Sequence, residues 1–134
     1  LAGSVLKSGG GRLYLTIYVD GIPYLAHRLA MLYMTGEFPP DGIDHKDGDG
    51  LNNRWNNLRN ANQSQNSANR GKNSNNTTGF KGVSIKKKKT TRYIAQINAN
   101  GKVKHIGCFG TPEEAHSAYC KASKKHFGEF ARSV

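Results

Sequence analysis

The spacing of apolar and polar residues changes period several times along the chain, and each change marks an element. Residues 12–19 are dense in β-branched and aromatic side chains (Tyr14, Thr16, Ile17, Tyr18, Val19), which predicts a strand. Asp20-Gly21 is a hairpin turn signal, and 22–25 begin the return. Over 26–35 the period becomes helical: Leu25, Leu29 and Leu32 fall along one side with Met31 and Met34 beside them. Gly36 and then Pro39-Pro40 end that helix. Residues 41–60 break into short strands and loops. The 63–70 stretch is polar but helical, with Asn60 or Asn62 as its cap. The small, glycine-rich residues 1–11 predict no element.

From 69 to 79 there is no apolar residue, only Asn, Arg, Gly, Lys, Ser and Thr, the composition of a linker. Beyond it the pattern is sheet and then helix. Residues 80–86 read as one strand. Tyr93, Ala95 and Ile97 alternate with Arg92, Gln96 and Asn98 in a second, and Asn100-Gly101 turns into a third over 102–109. Thr111-Pro112-Glu113-Glu114 supplies a cap, a proline at the first helical position and a capping-box glutamate. The helix runs to about Phe127 and stops at Gly128, with Ala115, Ala118, Tyr119 and Ala122 forming a small-residue face suited to close packing on a sheet. The predicted class is α+β. The predicted division is a first domain over 1–70, a flexible linker over 71–79 and a three-stranded antiparallel sheet packed on one helix over 80–134. The chain opens with Leu1 rather than Met, so the first domain is expected to be truncated at its N-terminal side.

Composition sharpens this. Hydrophobic residues make up 36% of 134, thin for one large core and better suited to two small units. The formal net charge of +11 points to a polyanionic partner. It is unevenly placed: 1–70 hold seven Lys/Arg against six Asp/Glu, whereas 71–134 hold thirteen against three. Two cysteines, Cys108 and Cys120, are too few for a disulfide framework and suit a reducing compartment. No apolar run approaches the roughly 20 residues of a membrane span, and no signal peptide is visible, so no membrane partner is expected.

Candidate chemistry lies in the near-neutral half, at Ile43-Asp44-His45. Asp44 offers a hard carboxylate, and His45, on the opposite side of the strand, can accept a proton from water near neutral pH. Mg²⁺ commonly takes one or two carboxylates and completes its shell with phosphate and water, so a second oxygen ligand is expected from the asparagines of the 63–70 helix. A calcium loop starting at Asp44 or Asp47 is excluded. Its twelfth position would be Trp55 or Leu58, and neither is an acid. Asp47 and Asp49 read as turn formers, with Asp47 a secondary candidate at the metal. Trp55 reads as a core plug. His27 and Arg28 read equally as helix packing and surface charge or as support of the site.

With those residues in place the chain resembles the HNH endonuclease family, in its phage and intron-encoded homing branch. The resemblance rests on Ala26-His27-Arg28-Leu29, Ile43-Asp44-His45, Asn52-Asn53-Arg54, Asn57-Leu58-Arg59 and Asn66, and covers residues 12–70. It implies a ββα-metal (His-Me finger) domain. It further implies His45 as general base, Asn57 bracing the loop and orienting the histidine, and Asp44 and Asn66 as metal ligands. Asn62 is a rival to Asn66 but is better placed as a cap. An asparagine as last ligand, where many members have histidine, favours one Mg²⁺ or Mn²⁺ over Zn²⁺. The implied reaction is phosphodiester hydrolysis of DNA to 5′-phosphate and 3′-hydroxyl ends, with the metal stabilising the leaving 3′ oxygen. One active site would nick, and a double-strand break would need a dimer or two visits.

Residues 79–130 resemble the DNA-binding domain named after the plant Apetala and ethylene-response factors. The resemblance rests on Phe80-Lys81-Gly82-Val83, Tyr93-Ile94-Ala95-Gln96-Ile97, Ile106-Gly107-Cys108-Phe109, Thr111-Pro112-Glu113-Glu114-Ala115 and Ala118-Tyr119. It implies a sheet laid in the major groove of double-stranded DNA, presenting Lys81, Ser84, Lys86, Arg92, Gln96, Asn98 and His105, with Lys87 in a phosphate-gripping loop over 86–89. Ser84 and His105 stand where arginine and tryptophan are expected, which leaves fewer guanine contacts. Cys108, Cys120, His105 and His116 match no zinc-finger spacing. The competing expectations are a DNA-binding protein with a decayed nuclease fold and a nuclease acting on RNA. The expected location, for a phage-encoded enzyme, is the bacterial cytoplasm, as a monomer or dimer.

Overall fold

The computed structural model describes residues 3–132, which form two compact units divided between Gln63 and Ser64. In the first, strands β1 (Gly3–Lys7), β2 (Leu13–Val19) and β3 (Ile22–Leu25) make an antiparallel meander in that order. The turn between β2 and β3 is set by Asp20 and Gly21, both left-handed at φ 50° and 78°, the geometry that matches strand twist in a two-residue hairpin. Pro23 is accommodated because β3 is an edge strand. The first strand was not predicted. Every one of its residues is exposed, including Val5 and Leu6, so no alternation between buried and solvent faces reveals it.

Helix α1 (Ala26–Thr35) has the predicted bounds and ends on Gly36 at φ 85°, whose N–H donates to the Leu32 carbonyl. Its buried residues are Ala26, His27 and Met31, while Met34 faces solvent. Strands β4 (Gly42–His45) and β5 (Leu58–Ala61) form a separate two-stranded sheet, joined by a long loop that closes in a 3-10 turn over Trp55–Asn57. Met31, Ile43 and Leu58 are the buried contact between α1 and this hairpin. The loop is also anchored at Gly50, where a β-carbon would fall on the Leu13 carbonyl and the Tyr14 ring. Only glycine lets the loop pass that close to β2.

In the second unit α2 (Gln63–Ala68) leads, by way of turns, to β6 (Val83–Lys87), β7 (Thr91–Ala99) and β8 (Lys102–Phe109), antiparallel in that order, and then α3 (Pro112–Phe127). Residues 71–79, expected to be a flexible linker, are held to this unit: Asn76 donates to the Phe80 carbonyl at 2.8 Å and Thr78 to that of Val83 at 3.1 Å. Asn100 and Gly101, at φ 52° and 75°, turn β7 into β8. Helix α3 begins as its sequence predicts: Thr111 Oγ1 accepts the Glu114 N–H and Pro112 occupies the first turn. The core is Val83, Ala95, Ile97, Ala115 and Tyr119. Ala95 and Ala115 have no exposed surface, which lets helix and sheet approach closely. Gly82, at φ 75°, lies against the Tyr119 ring with no room for a β-carbon. Among the described residues no helix is long and apolar enough to cross a membrane.

Candidate active site

The β4–β5 register fixes the chemistry of the hairpin. Asp44 pairs with Arg59 and His45 with Leu58. Adjacent residues of a strand project to opposite faces, so the carboxylate and the imidazole stand back to back. Both are buried, with relative exposures of 4% and 6%, so each depends on protein partners. His45 Nε2 lies 2.9 Å from Asn53 Oδ1. A carboxamide oxygen only accepts, so the ring nitrogen donates, and the neutral imidazole carries its proton on Nε2 and its basic lone pair on Nδ1.

Asn53 is kept in position by the rest of the loop. Asn57, itself buried, donates from Nδ2 to Asp47 Oδ1 at 2.9 Å and to the Asn52 carbonyl at 2.8 Å, and its Oδ1 accepts the Asp47 N–H at 3.1 Å. Asp47 also accepts from the Asp49 N–H at 2.9 Å and from Asn52 Nδ2 at 2.7 Å. Burial works to raise the Asp47 pKa, but these hydrogen bonds and the nearby His45 together hold it below the usual carboxylate range. Lys46 ties the two ends of the loop, its N–H donating to the Asn57 carbonyl and its ammonium to that of Asn56, each at 2.9 Å. The loop is a closed network of amides around one ionised carboxylate. Asn57 braces it, and the Asn53 amide contacts the imidazole.

The other side of His45 is a wall of rings. His27 meets it edge-on at 5.1 Å between centroids, and Tyr14 lies 5.6 Å from His27 and 6.2 Å from His45. Burial, then the proximity of His45 and Arg28, lower the His27 pKa to about 4, and its Nδ1 has no hydrogen-bond partner among the described residues. His27 is therefore a neutral packing surface at physiological pH. Arg28 turns away, its guanidinium 5.6 Å from the Phe38 ring centroid. Asp44 is held by Arg59, whose Nε and terminal nitrogen lie 2.8 and 2.7 Å from Oδ2.

Of the residues singled out in the sequence, Asp44, His45 and Asn57 are thus gathered in one hairpin. Asn66 lies in α2, past the division at Gln63 and Ser64, and its pairing with Asp44 remains part of the proposal below. Trp55, expected to plug the core, is 44% exposed on the 3-10 turn. The three-residue turn that carries it buries only Asn57, so the indole stays at the surface. The sequence pattern by itself gives Asn53, Arg59 and Tyr14 no role. The signal for Asn53 was the Asn52-Asn53-Arg54 run, which offers several amides without telling them apart.

In the second unit, register groups six of the expected DNA-facing residues. Lys86 pairs with Arg92 and Gln96 with His105, while Ser84 and Asn98 follow the same alternation. Ile94, Val103 and Cys108 share that face as partners of Ser84, Asn98 and Ile94. Lys87 pairs with Thr91 at the hairpin end, one residue out of phase, and is exposed. Lys81 is placed differently. Its ammonium donates to the carbonyls of Ala68 and Arg132 and lies 6.0 Å from the Tyr119 ring centroid. Burial, with the charge of Arg132, lowers its pKa to about 8. It lines a 420 Å³ cavity with Arg70, Lys72, Asn76 and Gln96. His116 and Cys120, one turn apart on α3, contact each other at 3.4 Å, and His116 Nδ1 lies 3.1 Å from the Lys81 carbonyl oxygen.

Comparison with known proteins bears on the hairpin directly. Residues 24–68, which contain α1, β4, the loop, β5 and α2, match the model of an HNH endonuclease family. The chain is also 38% identical over 126 residues, 93% of its length, to a protein of Acanthamoeba polyphaga mimivirus named as the uncharacterized HNH endonuclease L560. It spans 62% of that relative's length. No solved structure matches the chain. Both similarities are to nucleases, and the first coincides with the residues that build the hairpin.

Nucleases of this family generally use a divalent metal. Asp44 fits such an ion as a hard, buried carboxylate beside a histidine, although Arg59 already compensates its charge. Among the described residues no three His, Cys, Asp or Glu side chains cluster as a ready-made cage.

Proposed function

We propose that this chain is a metal-dependent DNA endonuclease. It hydrolyses phosphodiester bonds to 5′-phosphate and 3′-hydroxyl ends at the β4–β5 hairpin and grips duplex DNA through the basic sheet of its second unit. The observation that carries the reading is the His45–Asn53 hydrogen bond beside Asp44, within the residues that match a nuclease family. Asn53 holds the Nε2 proton, so His45 Nδ1 accepts a proton from the attacking water. The water oxygen bonds to phosphorus as the bond from phosphorus to the 3′ oxygen breaks. Asp44 and Asn66 would hold a Mg²⁺ or Mn²⁺ ion, which when bound supplies electrostatic stabilisation of the charge on the leaving oxygen. His27 and Tyr14 keep the imidazole from rotating and exclude bulk water from one side of it.

The basic second unit supplies affinity that the near-neutral first unit lacks. Lys86, Lys87 and Arg92 contact phosphates, and Ser84, Gln96, Asn98 and His105 lie toward base edges, an arrangement of the Apetala type. The test is supercoiled plasmid incubated with Mg²⁺ or Mn²⁺, with EDTA, and with His45→Ala. Nicked product with metal, none with EDTA, and a loss of roughly 10²- to 10⁴-fold in the variant are expected. Absence of nicked and linear product under every divalent metal overturns the reading. Preferential cleavage of RNA in a competition assay replaces DNA as the substrate.

A further inference from the structure

Arg59 takes no part in the proton transfer, yet it occupies the Asp44 carboxylate proposed to hold the metal. The β4–β5 register sets the two residues directly opposite each other. Nε and the terminal nitrogen both reach Oδ2, at 2.8 and 2.7 Å, and the side chains of Arg59 and Asp44 are only 12% and 5% exposed. A guanidinium and a divalent cation compete for the same oxygen lone pairs. A buried carboxylate stripped of both is strongly disfavoured, so neither cation leaves until another positive charge replaces it.

We propose that Arg59 is a resident counter-ion of Asp44. It gives way when metal and scissile phosphate arrive together, and it moves its hydrogen bonds from the carboxylate to a phosphate oxygen. The inference rests on the reading that Asp44 holds the metal. The phosphate is itself a ligand of that metal in this reading, so it comes within reach of a group already bonded to Asp44. It is also the acceptor for which the planar guanidinium is best suited. The exchange keeps opposite charges paired: the carboxylate trades the guanidinium for a divalent ion whose extra positive charge faces the phosphate, and the released guanidinium bonds that same anion. Metal affinity is therefore low in the free protein and rises on DNA. By linkage, metal raises DNA affinity by the same factor.

The experiment measures Mn²⁺ binding by electron paramagnetic resonance. It uses the full chain carrying His45→Ala, so that a duplex stays uncut, with and without Arg59→Gln. Without DNA, Arg59→Gln is expected to bind Mn²⁺ more tightly, by a factor in the roughly 5- to 150-fold range of coupled sites. Added duplex should tighten Mn²⁺ binding in the parent and do so much less in Arg59→Gln. Equal or weaker binding by a variant with an unchanged circular dichroism spectrum overturns the inference and leaves the nuclease reading standing. Failure of the parent to bind Mn²⁺ with or without duplex overturns both. If Arg59→Gln does not fold, the Arg59 Nε–H resonance of the folded parent, assigned with Arg59→Lys, decides. It should shift when Mg²⁺ and duplex are added together, and a resonance that does not move overturns the inference.

Discussion

Asn53 and His27 divide the control of one imidazole between them. Asn53 hydrogen-bonds the His45 Nε2, and His27 packs edge-on against the His45 ring. Asn53→Ala is expected to lower the turnover of DNA cleavage about tenfold or more while leaving KM for DNA nearly unchanged, because the amide acts through His45. Steady-state nicking kinetics of the two proteins would separate the effects. His27 has a different signature, in stability. Its folded pKa of about 4 lies below the ordinary 6.5, so between those values the unfolded chain binds the extra proton. Stability contributed by keeping His27 neutral is thus present above about pH 6.5 and is lost as pH falls toward 4. Thermal unfolding of wild type and His27→Leu across that window should show a steeper acid loss in the wild type. Trp55 is the single tryptophan of the chain and is 44% exposed, so its fluorescence should be red-shifted and readily quenched by acrylamide. A blue-shifted, protected emission would contradict the exposed turn.

Elements whose signals are local were legible, and those built by distant partners were not. Helix α1 and the Asn100-Gly101 hairpin rest on caps and turn residues within a few positions of one another. Strand β1 exists only because β2 pairs with it, and no side chain of it is buried, so its sequence carries no face to read. The candidate site divides the same way. Asp44, His45 and Asn57 were picked out as a spaced pattern. The bond from His45 to Asn53 spans a loop with several interchangeable amides, and folding selects among them. Arg59 stood in the pattern without a role, because only strand register reveals what it faces. Two glycines test the packing of elements. Gly50→Ala should destabilise the first unit by about 1–3 kcal/mol, since backbone and an aromatic ring stand where the methyl must go. Gly82→Ala should cost the second unit a similar amount of about 1–3 kcal/mol, through its φ of 75° and the Tyr119 ring. Thermal or urea unfolding of each variant gives the measurement.

Over the whole molecule, chemistry and charge are segregated. Thirteen of the twenty Lys/Arg residues lie beyond residue 70, whereas the buried Asp44–His45 pair lies in the half where acids and bases nearly cancel. Removing surface cations from the second unit should therefore act on binding more than on turnover. Lys86→Ala and Arg92→Ala are each expected to flatten the dependence of log affinity on log salt by about one, with kcat at saturating DNA little changed. Fluorescence anisotropy of a labelled duplex over a salt series reads the slope.

The pairing of Asp44 with Arg59 and His45 with Leu58 has a consequence for loop length as well as for chemistry. The sheet that carries it has only two strands, and successive side chains alternate faces. A slip of one residue would carry carboxylate and imidazole to the wrong faces and would turn Ile43 out of its contact with Met31 and Leu58. The length of the 46–57 loop therefore constrains this hairpin as much as the identity of the residues it joins. An insertion there is compatible with the site only where the amide network still closes in the same frame.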